Sequence, residues 1–273
     1  MNIIKNPVLS LLSRHNQRKL PNKWISLSLA LILQSFLPMN YATATSKVKV
    51  MSLGDSLCAN NIKALRSTVE RTKFGSRIDW VGTKQDGSYK DPANECRGGW
   101  SAAQVLQKPG ANVRLPAWEK QPGSVRDWVA STKPDIVLIM IGTNDFFGSK
   151  ERGEDTSKSL KESLQGIINS VYSVRPNATI VVASIPPFKW NIDKGVDRNK
   201  TKTTANAFLQ QLVRRLSAQK KRIVFLDMHA AILARLRQGN IFENDGLHFN
   251  AEGNKFMAEQ WTNALMRVMQ EKR

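Results

Sequence analysis

Five short apolar runs recur along the chain with helical patterns between them, and this alternation limits the fold more than any other feature. "KVKVMSL" (47–53), "RIDWVG" (77–82), "DIVLIMI" (135–141), "TIVVASI" (179–185) and "RIVFLDM" (222–228) are rich in Val and Ile and mostly continuous rather than alternating. A strand of that kind has two apolar faces, and both must be covered. Helical patterns occupy 57–72, 123–132, 157–174, 200–220 and 251–270. The expected fold class is therefore α/β, a three-layer α/β/α sandwich around a central parallel sheet of about five strands. The segment 83–122 has no clear periodicity and carries Gly, Pro and Asn clusters, so it reads as a long loop, a place where function often resides. There is no internal repeat, low-complexity tract or second domain.

Residues 1–44 read as an export leader rather than as part of the fold. Lys5, Arg14, Arg18, Lys19 and Lys23 come without an acid; the apolar "WISLSLALILQSFL" follows, and "ATA" ends at Ala44 with small residues suited to cleavage. The apolar stretch falls short of the roughly 20 residues a membrane span needs, so no stable membrane span is expected in the mature protein, which would begin at Thr45 and occupy the periplasm or the extracellular space. The expected domains are thus a signal peptide, 1–44, and a catalytic domain, 45–273. The formal charge of the whole chain is +19, and removing the leader leaves 36 Lys and Arg against 22 Asp and Glu, a net +14. The stretch from Lys189 to Arg222 is especially basic. It is either a solvated helix face or a surface that attracts an anionic polysaccharide or other cell-surface polymer. No zinc-finger spacing or aromatic-rich basic motif points to nucleic acid.

The architecture says where chemistry should sit. Ligands of open α/β sheets bind beyond the carboxyl ends of the strands. Ser56 follows the first strand, "GTND" (142–145) follows the third, and "PPFKWN" (186–191) follows the fourth. Alone, Ser56 could be a plain helix N-cap. The C-terminal "NDGLHFN" changes that reading, because Asp245 and His248 stand three residues apart, close enough for the carboxylate to hold the imidazole. A serine hydroxyl needs such a base, and the base needs a group that sets its tautomer. His15 lies in the leader, which leaves His229 in "DMHAA" as the alternative base, with Asp227 as its acid.

With these residues in view, the chain resembles the GDSL/SGNH hydrolases. "GDSL" (54–57) matches the nucleophile block, "GTND" the asparagine block and "DGLH" (245–248) the Asp-x-x-His block, while "RGGWS" (97–101) offers Gly98 and Gly99 for the glycine block. Gly99 is favoured because the family places that glycine before a residue such as Trp100. One departure is Phe249, where many members have proline. The resemblance implies a flavodoxin-like sheet and a serine esterase in which Ser56 is the nucleophile, His248 the base and Asp245 its orienting acid. It further implies an oxyanion hole made by the N–H groups of Ser56 and Gly99 and the amide of Asn144. No cofactor or metal is implied, and no His-x-x-x-His or paired-Cys ligand spacing is present.

Within that family, "IDWVGT", "ECRGGWS" and "PDIVLIMIGTND" look most like the carbohydrate-esterase branch that includes acetylxylan esterases. The expected substrate is an acetylated glycan, with Trp100, Phe146, Phe147 and Trp190 as candidate walls of its site. A lysophospholipase or broad acyl-ester hydrolase is the alternative enzyme, and a catalytically silent glycan- or surface-binding module is the alternative of a different class. If the nucleophile and glycine blocks meet as the resemblance implies, Cys58 and Cys96 come together, and export makes them a disulfide.

Overall fold

The computed structural model describes residues 46–85, 90–107, 123–146, 153–189 and 198–271. Residues 1–44, expected to be an export leader, together with Phe147 and Trp190, lie outside the described residues, as do Lys194 and Asp197 in the basic stretch. The five apolar runs form the parallel strands β1 (Val48–Gly54), β2 (Ile78–Val81), β5 (Ile136–Met140), β6 (Thr179–Ala183) and β7 (Ile223–Leu226). Their order across the sheet is β2, β1, β5, β6, β7. The register runs without a slip, from Val50 opposite Ile136 to Gly54 opposite Met140, and from Ile136 opposite Thr179 onward.

Two further strands arise inside the segment expected to be a loop. β3 (Lys84–Gln85) and β4 (Ala93–Cys96) pair antiparallel, and β4 runs parallel to the last residues of β1, with Gly54 opposite Cys96. β2 has already paired with the first half of β1. One edge of β1 therefore carries two partners in succession, and short strands with polar letters such as "ANEC" give no periodic signal.

The helices are α1 (Ser56–Glu70), α2 (Ala102–Leu106), α3 (Val125–Thr132), α4 (Gly153–Val174), α5 (Arg198–Ala218), α6 (Met228–Leu236) and α7 (Ala251–Glu271). Short α2 and α6 were not expected from the pattern. Continuous apolarity in the strands has the anticipated cause, since successive residues point to opposite faces. Val137 and Ile139 pack with Trp128, Leu164 and Leu209 of α3, α4 and α5. Ile136, Leu138 and Met140 pack on the other face with Leu65 and Trp261 of α1 and α7.

The basic stretch is not one surface. Lys202 on α5 is fully buried, its Nζ 2.9 Å from the Pro186 carbonyl and over the Phe188 ring. Lys189 follows the carboxyl end of β6, whereas Arg214 to Arg222 finish α5 and enter β7 at the opposite end of the sheet.

Candidate active site

The sheet order reverses between β1 and β5, and the crevice beyond their carboxyl ends is where an α/β sheet leaves room for a ligand. Ser56 leaves β1 there, and Asn144 follows β5 in a short 3-10 turn. At Gly54 the two strands approach so closely that a β-carbon would lie 2.2 Å from the Met140 carbonyl oxygen and 2.7 Å from Cys58 Cβ. Only glycine fits at the last position of β1.

Ser56 is not the cap of α1. Asp55 holds that position, its Oδ1 accepting the Leu57 N–H at 3.0 Å and its Oδ2 the Thr143 N–H at 3.3 Å. With the capping done by its neighbour, the Ser56 hydroxyl is left for another partner. That partner is His248, whose Nε2 stands 2.9 Å from Ser56 Oγ. His248 Nδ1 lies 2.6 Å from Asp245 Oδ2. An ionised carboxylate only accepts, so Nδ1 carries the proton and the Nε2 lone pair faces the serine. Such an arrangement can take the hydroxyl proton as the oxygen attacks a carbonyl.

The two oxygens of Asp245 divide the work. Oδ1 accepts the N–H groups of Leu247 and His248, each at 2.9 Å, which closes the loop, while Oδ2 faces the ring. Burial acts to raise the Asp245 carboxyl, but these hydrogen bonds outweigh it and hold it below the usual carboxylate range. The loop is docked at both ends: Lys189 N–H donates to the Gly246 carbonyl at 2.9 Å, and Glu243 N–H donates to the His248 carbonyl at 2.8 Å. Phe249 is buried and stacks on Phe242, ring centroids 4.8 Å apart. The aromatic pair thus secures the loop where many family members use proline.

The glycine segment arrives from β4. Arg97 N–H donates to the Gly54 carbonyl at 2.7 Å, and Trp100 N–H closes a turn on the Arg97 carbonyl at 3.1 Å. Gly99, with φ +80°, is the third residue of that turn, where a type II turn demands a glycine-like conformation. Gly98 has no such requirement, and a side chain there would meet open space. Asn144 and Asp145 grip the segment after the turn. Asn144 Nδ2 donates to the Trp100 carbonyl at 3.0 Å, and Asp145 Oδ2 accepts the Ala102 N–H at 2.9 Å. An amide nitrogen has two N–H donors, and the Asn144 bond uses one.

A disulfide joins Cys58, in the first turn of α1, to Cys96, at the end of β4. Beside it lies a fully buried ion pair, Arg97 to Glu95 at 2.5 Å, with Thr83 N–H also donating to Glu95 and the guanidinium resting 4.6 Å from the Trp128 ring centre. Burial dominates over these bonds and raises the Glu95 carboxyl. Two other carboxyls of the crevice are displaced further. Burial pushes Asp55 up to about 6 against its hydrogen bonds, and burial, with the charge of Asp55 adding to it, pushes Asp145 up to about 7. The sequence motifs contain both aspartates, yet only the packing around them reveals their environment.

Two expectations are corrected. Trp100 has no exposed surface and packs against Trp128, ring centroids 5.9 Å apart, and Phe146 is 4% exposed within the same core cluster. Both support the floor of the crevice rather than walling a substrate site, because their neighbours α2, α3 and α5 enclose them. The alternative base, His229, is engaged elsewhere: its Nδ1 lies 2.9 Å from the Ile185 carbonyl, and burial lowers its basicity.

Solved structures of similar shape include an acetyl esterase with a bound acetate ion, 23% identical, covering 83% of this chain and 100% of that one at a TM-score of 0.64. A carbohydrate esterase of family 3 from Talaromyces cellulolyticus is 25% identical, with 82% and 99% coverage and a TM-score of 0.63. In sequence, a multidomain esterase of Ruminococcus flavefaciens is 24% identical over 261 residues, 86% of this chain but 31% of that protein. Residues 53–256 match the GDSL-like lipase/acylhydrolase family from the strand that carries the serine to the helix beyond the histidine, so the chain belongs to that family of carboxylic ester hydrolases.

Proposed function

We propose that this protein is an exported serine esterase that removes acetyl groups from a carbohydrate through an acyl-enzyme intermediate. The observation that carries the reading is the continuous hydrogen-bonded line from Ser56 Oγ through both nitrogens of His248 to Asp245. Ser56 Oγ attacks the acetyl carbonyl carbon as its proton passes to His248 Nε2. Asp245 keeps its negative charge and steadies the imidazolium. The carbonyl oxygen becomes an oxyanion facing the Ser56 and Gly99 N–H groups and the second N–H of Asn144. Collapse breaks the bond to the sugar oxygen, which takes the proton from His248. Water then repeats the attack on the acetyl-serine, and acetate leaves.

The likeness to an acetyl esterase and to a family 3 carbohydrate esterase supports acetate as the acyl group. A half-buried Cys58 paired with a buried Cys96 supports an oxidising compartment, as the leader does. Among the described residues no helix is long and apolar enough to cross a membrane. Acetate release from acetylated xylan, measured beside hydrolysis of acetyl, butyryl and long-chain esters, tests the reading. Acetyl substrates should be preferred, and Ser56→Ala should abolish their turnover. A preference for long chains would make the protein a lysophospholipase-like acyl hydrolase, and equal behaviour of Ser56→Ala and the parent would leave only a binding module.

A further inference from the structure

Each of the five parallel strands is entered through a segment that carries a base. Arg77 precedes β2, Lys47 precedes β1, Lys133 precedes β5, Arg175 precedes β6, and Lys220, Lys221 and Arg222 precede β7. Neighbouring strands lie about 4.8 Å apart, so these side chains form a row along the amino edge of the sheet. Lys47, Lys133, Lys220 and Arg222 are exposed, and the others are half-buried. Asp135 is the carboxylate within the row, and it accepts from Arg175 at 3.1 Å and from the Lys49 N–H at 3.0 Å. Glu70, Asp79 and Glu271 sit at this end too, but Arg71, Lys73 and Arg267 stand close to them in sequence.

Helix polarity accounts for only part of the row. α1, α3, α4, α5 and α7 end at this edge, Lys133 caps α3 and Arg175 directly follows α4, yet a helix terminus presents only about half an elementary charge, and Lys47, Lys221 and Arg222 lead into β1 and β7 outside any helical turn. A lipid surface does not fit either. Interfacial docking adds apolar insertion to charge, and the large hydrophobic side chain exposed among the described residues, Leu233 at 47%, belongs to α6, which follows the exit of β7 rather than its entry. An extended polymer of carboxylate-bearing sugars needs only a row of solvated cations.

We propose that the amino edge of the sheet binds an anionic polysaccharide, at the end of the molecule opposite the Ser56 crevice. The polymer then holds the protein while the crevice stays open to a separate ester. Because the two sites are at opposite ends, filling one leaves the other unaltered. This inference does not depend on the esterase reading.

The test is retention of the purified protein on immobilised polygalacturonate across a salt gradient, with soluble polygalacturonate added to assays of a small neutral acetate ester. Retention should fall steeply with salt. Replacing Lys220, Lys221 and Arg222 together by Gln should weaken binding about tenfold, and a second variant, Lys47→Gln with Lys133→Gln, should weaken it by a smaller factor. Ester turnover should be unchanged in both variants and at saturating polymer. Circular dichroism of both variants separates lost binding from lost fold, and the two share no position. Salt-independent retention, unchanged affinity in two folded variants, or inhibition of ester turnover by the polymer would overturn the proposal. So would binding to phosphatidylglycerol vesicles without binding to polygalacturonate.

Discussion

The rim of the sheet carries the same four residue types twice, once around β1 and β5 and once around β6 and β7. In the first half Ser56, His248 and Asp245 form a line with Asn144 beside it. In the second, Ser184, His229, Asp227 and Asn206 are tied to one another or to the backbone. Ser184 Oγ donates to Asp227 Oδ1 at 3.0 Å and accepts the His229 N–H at 2.8 Å, while Asp227 caps α6 through Ala230 N–H. Asn206 clamps both the N–H and the carbonyl of Ile185, and His229 Nδ1 meets that same carbonyl. The difference is what each side chain has left. In the second half backbone groups occupy His229 Nδ1, both ends of the Asn206 amide and Asp227 Oδ1, and Ser184 has no exposed surface. In the first, Asp55 takes over the capping of α1, so the serine and the imidazole keep each other.

The widest separation between the halves should appear in the histidines. His248→Ala, Ser56→Ala and the double variant should each lose roughly 10^4-fold or more in kcat/KM on a small acetate ester, with no further loss in the double, because the two side chains act as one unit. His229→Ala should stay within a few-fold of the parent. Comparable losses at both histidines would erase the distinction.

Covalent support also belongs to the first half alone. The disulfide closes a loop with a sequence separation of 38, and replacing both cysteines by serine should lower unfolding free energy by roughly 3 to 4 kcal/mol on the chain-entropy account. Ser184→Ala, which removes a hydrogen-bonded hydroxyl, should cost about 1 kcal/mol. Chemical denaturation of the two variants gives the comparison, and equal losses would mean that the bridge adds nothing beyond the β1–β4 pairing.

The asparagines should split by type of defect. Asn144→Ala should lower kcat about a hundredfold with KM and melting temperature nearly kept, since in the proposed mechanism its second N–H meets charge that develops only in the transition state. Asn206→Ala should do the reverse, leaving the Ile185 N–H buried and unpaired at about 1–3 kcal/mol in stability. A rise in KM alone for Asn144→Ala would make that amide a ground-state binder.

The smallest effect concerns Asp145, whose carboxyl is held at about 7, above the ~3.9 of an unfolded chain. Its folded state binds the proton more tightly, so the stability it contributes is complete below about pH 4 and lost as pH rises through 7. Asp145→Asn removes that loss. The melting temperature of the variant relative to the parent should therefore be higher at pH 8 than at pH 5 by on the order of a few degrees. The same difference at both pH values would show that Asp145 ionises without cost.

Much of this was legible in the letters because the physics involved is local. Continuous Val and Ile runs require cover on two faces, and strand polarity then assigns Ser56 and Asn144 to one edge. The pairing of Cys58 with Cys96, expected from the family resemblance, is present as well. Asp245 and His248 were recognisable because three residues of loop are enough to bring a carboxylate to an imidazole. Other decisions depended on neighbours remote in sequence. Whether Asp227 with His229 or Asp245 with His248 faces the serine turns on which polar atoms the backbone of Ile185 and the cap of α6 have already taken. Trp100, Phe146 and Lys202 look like surface or wall residues in a one-dimensional reading, and only helices packed over them put them inside. β3 and β4 have no periodic signature because their pairing is specified by the free end of β1. The raised carboxyls of Asp55 and Asp145 are likewise products of packing, since a proton affinity depends on what replaces water around the group, and that is decided only when the strands and helices close over the crevice.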